Sequence, residues 1–224
     1  MSSPELSDFE FSVDEAAALS AQARRSLFEL FDESYRRANH TFLERSLGTL
    51  RWVATAEHEG APAGFALADV RVMDLPRLGP QVVYLAGICC IAPQHRRQGL
   101  FGKLEFYAMK AADVPDTPRR LLCGRMAHPA AMRTIGRLPT SVPRRGQRPT
   151  TWQREIGAIV AKAYGVHDFD PETFVCIGAG EPIGYPRIEM EVEPHEWEVF
   201  ARVDRDRGDA LLGIAWAPDA PKGW

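Results

Sequence analysis

The chain has 224 residues, 45% hydrophobic and 25% charged, the make-up of an ordinary globular protein able to bury a substantial core. Its net charge of −3 supplies no general attraction to nucleic acid or to an anionic membrane. No apolar run approaches the roughly 20 residues of a membrane span, and the polar, acidic start MSSPELSDFEF lacks the basic and apolar regions of a signal peptide.

These features lead to the expectation of a cytoplasmic protein. Cys89, Cys90, Cys123 and Cys176 form no CxxC pair, and no HExxH is present. Reduced, buried thiols are therefore expected, and a metal site has no support.

DFEFSV (8–13) alternates as a strand does. From Asp14, DEAAALSAQARRSLFELFDESYRR is rich in helix formers, and Leu27, Phe28, Leu30 and Phe31 fall on one helical face. A second short helix is predicted over Thr41 to Leu47. RWVATAEH (51–58) and AGFALADVRVMD (63–74), joined by the turn EGAP, predict an antiparallel hairpin.

VVYLAGICCIA (82–92) is apolar on both alternating faces and predicts a central strand buried on both sides, with Cys89 and Cys90 pointing opposite ways. Pro93 ends it. After QHRRQGLFGKL (94–104), Leu100, Phe101, Leu104, Tyr107, Ala108 and Ala111 share one face of a helix that stops before Pro115, and Phe101 is expected to pack inward. RLLCGRM (120–126) reads as the next strand and HPAAMRTIGRL (128–138) as a short helix.

Beyond Pro139, TWQREIGAIVAKAYG (151–165) reads as a helix, ETFVCIG and PRIEMEV as strands, HEWEVFARV as a short helix and ALLGIAWA (210–217) as a last strand. The order is mixed α/β. Thr117 to Arg154 holds nine arginines and no acid, whereas Gly165 to the end holds thirteen acids and five bases. The arginines are expected to pair with the acidic segment. Arg144, Arg145 and Arg148 are the ones that suit a phosphate, and the lack of interleaved aromatics disfavours nucleic acid.

The junction at QHRRQGL has a physical reading of its own. The first N–H groups of a helix lack intrahelical partners and carry the positive end of its dipole. Gly99 permits a positive φ or a close backbone approach, and Arg96 and Arg97 add charge. A pyrophosphate suits such a place. The chain has neither a GxGxxG dinucleotide fingerprint nor a GxxxxGK[ST] phosphate loop.

Taken whole, VVYLAGICCIAPQHRRQGLFGKLEFYAMK resembles motif A of the GNAT superfamily of N-acetyltransferases, whose central strand leads into an [RQ]-x-x-G-x-[GA] loop and a helix. Residues 96–100 match as R-x-x-G-x, and Phe101 stands where the final small residue is usual. The resemblance covers roughly residues 8–138. It implies a mixed, mostly antiparallel central sheet flanked by helices and splayed at the cofactor strand. One domain over 1–224 is expected, with 139–224 as an elaboration on the acceptor side.

The resemblance further implies acetyl-CoA or another acyl-CoA as donor and an amine of a small molecule or peptide as acceptor. Backbone groups around Cys89, Cys90 and Ile91 would pair with the pantetheine arm, beside a splay towards RLLCGRM. The stretch Arg96, Arg97, Gln98, Gly99, Leu100, Phe101 and Gly102 would hold the pyrophosphate. The fold could also serve as an acyl-CoA sensor, or act on carrier-protein thioesters. A homodimer is compatible with the chain, and no membrane partner is expected.

Relatives often place a carboxylate or histidine on the central strand and a tyrosine in the later helix. Here those places hold Leu85 and Gly87, and Thr134 and Ile135. Tyr84 and His128 are the candidate catalytic replacements, His128 also standing where relatives touch pantetheine. Asp69 and Glu105 are weaker candidates, expected to be solvated. Glu189 and Glu191 of RIEMEV would project from one strand face, expected to be a solvated sheet face, with an acceptor pocket for a cation as the alternative.

Overall fold

The computed structural model describes residues 5–112, 114 and 117–224. Its elements are β1 (Phe9–Glu15), α1 (Ala21–Ser34), β2 (Tyr35–Arg36), α2 (His40–Thr49), β3 (Trp52–His58), β4 (Ala61–Leu75), β5 (Gly79–Ile91), α3 (Leu100–Lys110), β6 (Arg120–Met126), α4 (Pro129–Gly136), α5 (Thr151–Ala163), β7 (Phe169–Asp170), β8 (Val175–Cys176), β9 (Tyr185–Pro186) and β10 (Ala210–Ala217). Short 3-10 turns sit at Leu6–Asp8, Ala16–Ala18, Pro93–His95 and Pro194–Phe200. Eight strands are ordered β1-β3-β4-β5-β6-β10-β8-β7 in a mostly antiparallel sheet, and β2 and β9 form a separate pair. The expected mixed α/β class, a mostly antiparallel sheet flanked by helices, is the one observed.

The chain divides into two compact units, one of Met1–Asp69, Ala86–Asp113 and Ile183–Glu189, the other of Val70–Leu85, Val114–Pro182 and Met190–Trp224. Among the described residues of the first, β1 pairs antiparallel with β3 from Phe9↔His58 to Glu15↔Trp52. Then β3 pairs antiparallel with β4 from Trp52↔Ala68 to His58↔Ala61. Helix α3 packs on β1 and β3. Helices α1 and α2 pack together through Phe28 and His40, whose rings lie 5.0 Å apart, and through the Arg24–Glu44 ion pair. Leu27, Leu30, Phe31, Leu43 and Leu47 of this pair are buried.

Helix α1 does not start at Asp14. Asp14 and Glu15 are held in β1 opposite Val53 and Trp52, so pairing outweighs the helix propensity of the run. Ser20 then caps the helix by accepting a 3.1 Å hydrogen bond from Ala23 N–H.

In the second unit β10 lies between β6 and β8, antiparallel to both, with α4 and α5 packed against it. Its run Leu211 to Trp216 is buried throughout, as an apolar strand with helices on its faces must be. Tyr164 anchors the end of α5 by donating a 3.0 Å hydrogen bond to the Cys123 carbonyl.

The arginine stretch pairs with the acidic segment as expected. Arg133 grips Glu196 with two 2.7 Å hydrogen bonds, Arg145 meets Glu198 at 2.5 Å, and Arg154 pairs with Glu172. PRIEMEV is not a strand. Only Pro186 belongs to one, paired with Tyr35. After the Arg187 N–H donates to the Ser34 carbonyl at 2.9 Å, the run is assigned to no strand, and the Glu191 carbonyl accepts from Arg133. Glu189 and Glu191 therefore do not share a strand face.

Among the described residues, no helix is long and apolar enough to cross a membrane, and no three His, Cys, Asp or Glu side chains converge to hold a metal ion.

Candidate functional site

Strand β5 ends at Ile91 and Ala92 turns the chain, its N–H donating to the Ala63 carbonyl at 2.9 Å. The 3-10 turn Pro93–His95 follows, then a loop with two left-handed residues in three, Arg97 at φ 65° and Gly99 at φ 82°. Gly99 is the N-cap of α3. A positive φ is ordinary for glycine and uncommon for other residues, so the requirement at Gly99 is conformational.

The first bond of α3 runs from Lys103 N–H to the Gly99 carbonyl at 3.3 Å. The N–H groups of Leu100, Phe101 and Gly102 precede it and gain no intrahelical acceptor. They stand at the positive end of the helix dipole. Gly99, Phe101 and Gly102 are exposed, and a Cβ on Gly102 would meet nothing within 4 Å. The end of the helix is thus open to an anion.

The side chains of the loop are arranged unevenly. Arg97 is exposed, whereas the Arg96 Nε is tied to the Ile91 carbonyl at 3.2 Å and braces the strand end. Gln98 donates to the Gln94 carbonyl at 3.2 Å. Two buried polar atoms here have no hydrogen-bond partner, His95 Nδ1 and Gln98 Oε1. The His95 ring packs against Phe9 and His58 at 5.3 and 5.0 Å, and burial, then the neighbouring His58, pull its pKa below the usual histidine value.

Phe101 does not pack inward. It is 39% exposed, while Leu100, Leu104 and Ala108 form the buried stripe of α3. The inward face is the one set by the i, i+4, i+8 residues, and Phe101 lies one step of about 100° off it.

Cys89 and Cys90 face opposite ways, as strand alternation requires. Cys90 is buried beside Ser34 of α1, and burial pushes its thiol up to about 12, with Ser34 and Arg96 pulling it down. Cys89 is partly exposed, and its thiol is driven well up by burial and then by the Glu105 carboxylate of α3. Neither is a ready thiolate nucleophile.

Gly87 faces the α1–α2 side too. A Cβ there would lie 2.3 Å from Leu50 Cδ1 and 2.8 Å from the Leu67 carbonyl oxygen. Gly64 faces the other side, where a Cβ would lie 3.2 Å from Leu104 Cδ1 of α3 and 3.5 Å from Ile91 Cγ1. Gly87 and Cys90 therefore share a face although three residues apart. A strict period of two forbids that, so β5 takes up one extra residue between them.

Tyr84 is buried, and His128 is the N-cap of α4, its Nδ1 accepting from Ala130 N–H at 3.2 Å with its ring edge-on to Trp197 at 5.2 Å. Both belong to the second unit. Glu105 is partly buried. Asp69 is not solvated: it is 6% exposed.

Sequence reasoning passed over Ser34. Its hydroxyl is buried at the end of α1 beside the Cys90 thiol, and no local motif marks it.

No family model matches the chain, and no curated protein matches it. Solved structures resembling it include a GNAT family acetyltransferase from Brucella melitensis in complex with acetyl-CoA, with 16% identity, 50% of this chain and 75% of that one covered, and a TM-score of 0.36. An integron cassette protein from the mobile metagenome of V. cholerae has 15% identity over 68% of this chain and 98% of its own, with a TM-score of 0.43. An IAA acetyltransferase from Bacillus cereus has 9% identity over 59% and 79%, with a TM-score of 0.39. GNAT acetyltransferases are thus among the structures this chain is similar to, at likenesses too slight to assign an activity.

Proposed function

We propose that this chain is an acyl-CoA-dependent N-acyltransferase that moves an acetyl group directly from acetyl-CoA to an amine of a small molecule or peptide. The observation that carries this reading is the junction at Gly99. A left-handed glycine caps an open helix start, and Arg97 stands exposed beside it. That is a backbone cradle for a pyrophosphate.

In this reading the backbone from Arg96 to Gly102 takes the pyrophosphate, and the main chain of Cys89, Cys90 and Ile91 pairs with the pantetheine arm. A backbone N–H near Cys89 polarises the thioester carbonyl. Tyr84 and His128 are kept as candidate proton carriers for the departing thiolate.

A second reading has its own observation in favour. Gly87, one of the positions where a base is usual in the family the chain resembles, has Leu50 and the Leu67 backbone where a side chain would go. That suits a protein that binds acyl-CoA as a sensor and does not transfer it.

One experiment separates the two. The protein is incubated with acetyl-CoA, with and without a panel of amines, while free thiol is followed and binding is measured by calorimetry. Amine-dependent thiol release is the expected result. Binding without release favours the sensor, and no binding overturns both readings.

A further inference from the structure

The second unit holds an open cavity of about 390 Å³, lined by Ala158, Ala161 and Lys162 of α5 and by Val166, His167 and Phe169 beyond it. Its volume is that of a small-molecule site.

The local sequence builds this hollow. Residues 158, 161, 162 and 165 stand together on one helical face, and the two alanines there make a low shelf. The helix closes beside it: Gly165 takes a φ of 73°, and the Val166 N–H turns back to the Ala161 carbonyl at 3.0 Å. Such a closure folds the apolar side chain of Val166 onto the last turn. On another side Gly157 lets two rings approach α5, since a Cβ there would lie 3.2 Å from Phe169 Cζ and 2.8 Å from Phe174 Cζ. Strand pairing fixes that wall, with Phe169 opposite Cys176 and the Ile177 N–H donating to the Asp168 carbonyl at 2.9 Å. The cavity is therefore held by backbone bonds before any ligand arrives, which lowers the cost of binding.

The charged groups at its mouth are basic and unanswered. Lys162 has Ala158, Ile159, Gly165 and Val166 three and four residues away, so no helical neighbour is an acid. The acids of the following segment are engaged elsewhere. Asp170 accepts from the Glu172 N–H at 2.9 Å and the Thr173 hydroxyl at 2.6 Å, Glu172 pairs with Arg154, and Asp168 acts on Arg207. Among the described residues, the side chains of Lys162 and His167 have no hydrogen-bond or ion-pair partner, and both are exposed.

The geometry points to this cavity as a second binding site, for a small monocarboxylic acid with a flat apolar body. The body lies on the Ala158–Ala161 shelf between Val166 and Phe169, and the carboxylate accepts from the Lys162 ammonium and the His167 ring N–H. A flat body follows from a floor of two methyl groups beside an aromatic ring. Lys162 disfavours a cationic ligand, and one lysine leaves the charge of a polyanion unmatched. This site is independent of the acyl-CoA reading.

The test uses the full chain without CoA. Phenylpropionate is the probe, with its neutral amide and the cationic phenethylamine as controls. Binding is followed by calorimetry and by the backbone amide signals in nitrogen-edited NMR spectra. The expected result is a Kd of about 5 mM or tighter for the acid, with the largest shifts between Ala158 and Pro171. The amide should bind at least about fivefold more weakly, and the amine more weakly still. Lys162→Met should weaken the acid about tenfold and leave the amide unchanged. His167→Ala should weaken the acid about threefold. Ala158→Leu fills the shelf at an exposed helical position, so it should weaken acid and amide at least about tenfold with Tm unchanged.

Equal affinity for acid and amide, or an acid affinity untouched by Lys162→Met, overturns the proposal. So do shifts confined to other parts of the chain, or no saturable binding of the acid by about 20 mM. Should Ala158→Leu not fold, Ala158→Met is measured in the same way. Every readout is taken without acetyl-CoA, so a failure of the acyl-CoA reading leaves these outcomes unaffected.

Discussion

Leu50 Cδ1 stands where a side chain on Gly87 would go, 2.3 Å from the place of its Cβ. Leu50 is itself buried, at 4% exposure, at the end of α2. The lack of a titratable group at Gly87 is therefore set by packing. A carboxylate cannot be restored there without displacing Leu50, and the Leu67 carbonyl at 2.8 Å cannot be displaced at all without bending β4.

Gly87→Glu should accordingly destabilise the fold and should not create a base. Overpacking and burial of a charge beside an apolar side chain together cost about 3 kcal/mol or more, equivalent to roughly 6–12 °C in Tm for a chain of this length. Adding Leu50→Ala should recover only part of it, because the Leu67 backbone stays. Thermal unfolding of the single and double variants checks this, and a Gly87→Glu protein as stable as wild type contradicts it.

Arg133 and Glu196 predict a distinct acid response. The two guanidinium hydrogen bonds, followed by the Glu193 N–H at 2.8 Å, hold the Glu196 carboxyl at about 2, against 4.5 for a free one. The folded state thus favours the carboxylate. Its contribution is complete above pH 4.5 and disappears as pH falls towards 2. The gap in urea midpoint between wild type and Arg133→Met should therefore be widest at neutral pH and close progressively over that acid window. A gap that does not change with pH would show that Arg133 acts through packing alone.

Much of this was legible in the sequence, and the failures have physical causes. The strand into Gly99 and the helix after it could be read because an apolar run, a proline, a glycine and the i, i+4, i+8 residues Leu100, Leu104 and Ala108 agree. Phe101 misled because a hydrophobic residue next to the stripe looks like part of it, while its exposure depends on the helix rotation. The alanines after Asp14 have helix propensity, yet β3 offered Asp14 and Glu15 a pairing partner that no local pattern reveals. RIEMEV alternates, but alternation makes a strand only where a neighbouring backbone is available. Asp69 reads as a solvated acid until β4 is placed beside β5, and Ser34 carries no sequence signal because only the tertiary packing buries it.

The four thiols predict low reactivity in the native protein. Burial lifts Cys90 to about 12 and Cys176 to about 11, and drives Cys123 and Cys89 well above the usual thiol value. At pH 8 a disulfide reagent should thus find less than one fast thiol per chain before denaturation and four after it. The same measurement gives the background for following CoA release. Rapid titration of two or more thiols in the folded state would mean that β5 or β6 opens readily.

Gly99 is the position where backbone and ligand requirements separate most cleanly. A Cβ there would lie 3.5 Å from Leu6 Cδ1, an ordinary contact, so space is not the obstacle. The φ of 82° is, and holding a β-branched residue in that region costs on the order of 1–3 kcal/mol. Gly99→Val relieves the strain by rotating φ to a negative value, which re-aims the N–H groups of Leu100, Phe101 and Gly102. The expected result is a moderate loss in Tm with at least about a tenfold weaker Kd for acetyl-CoA, since one or two charge-assisted hydrogen bonds are lost. Gly99→Ala should be milder in both. Leu6→Ala combined with Gly99→Val should recover neither, because the fault lies in the main chain. Calorimetric titration of acetyl-CoA into the folded variants decides the matter: an undiminished affinity in Gly99→Val would reduce the loop to a turn and remove the main support for the acyl-CoA site.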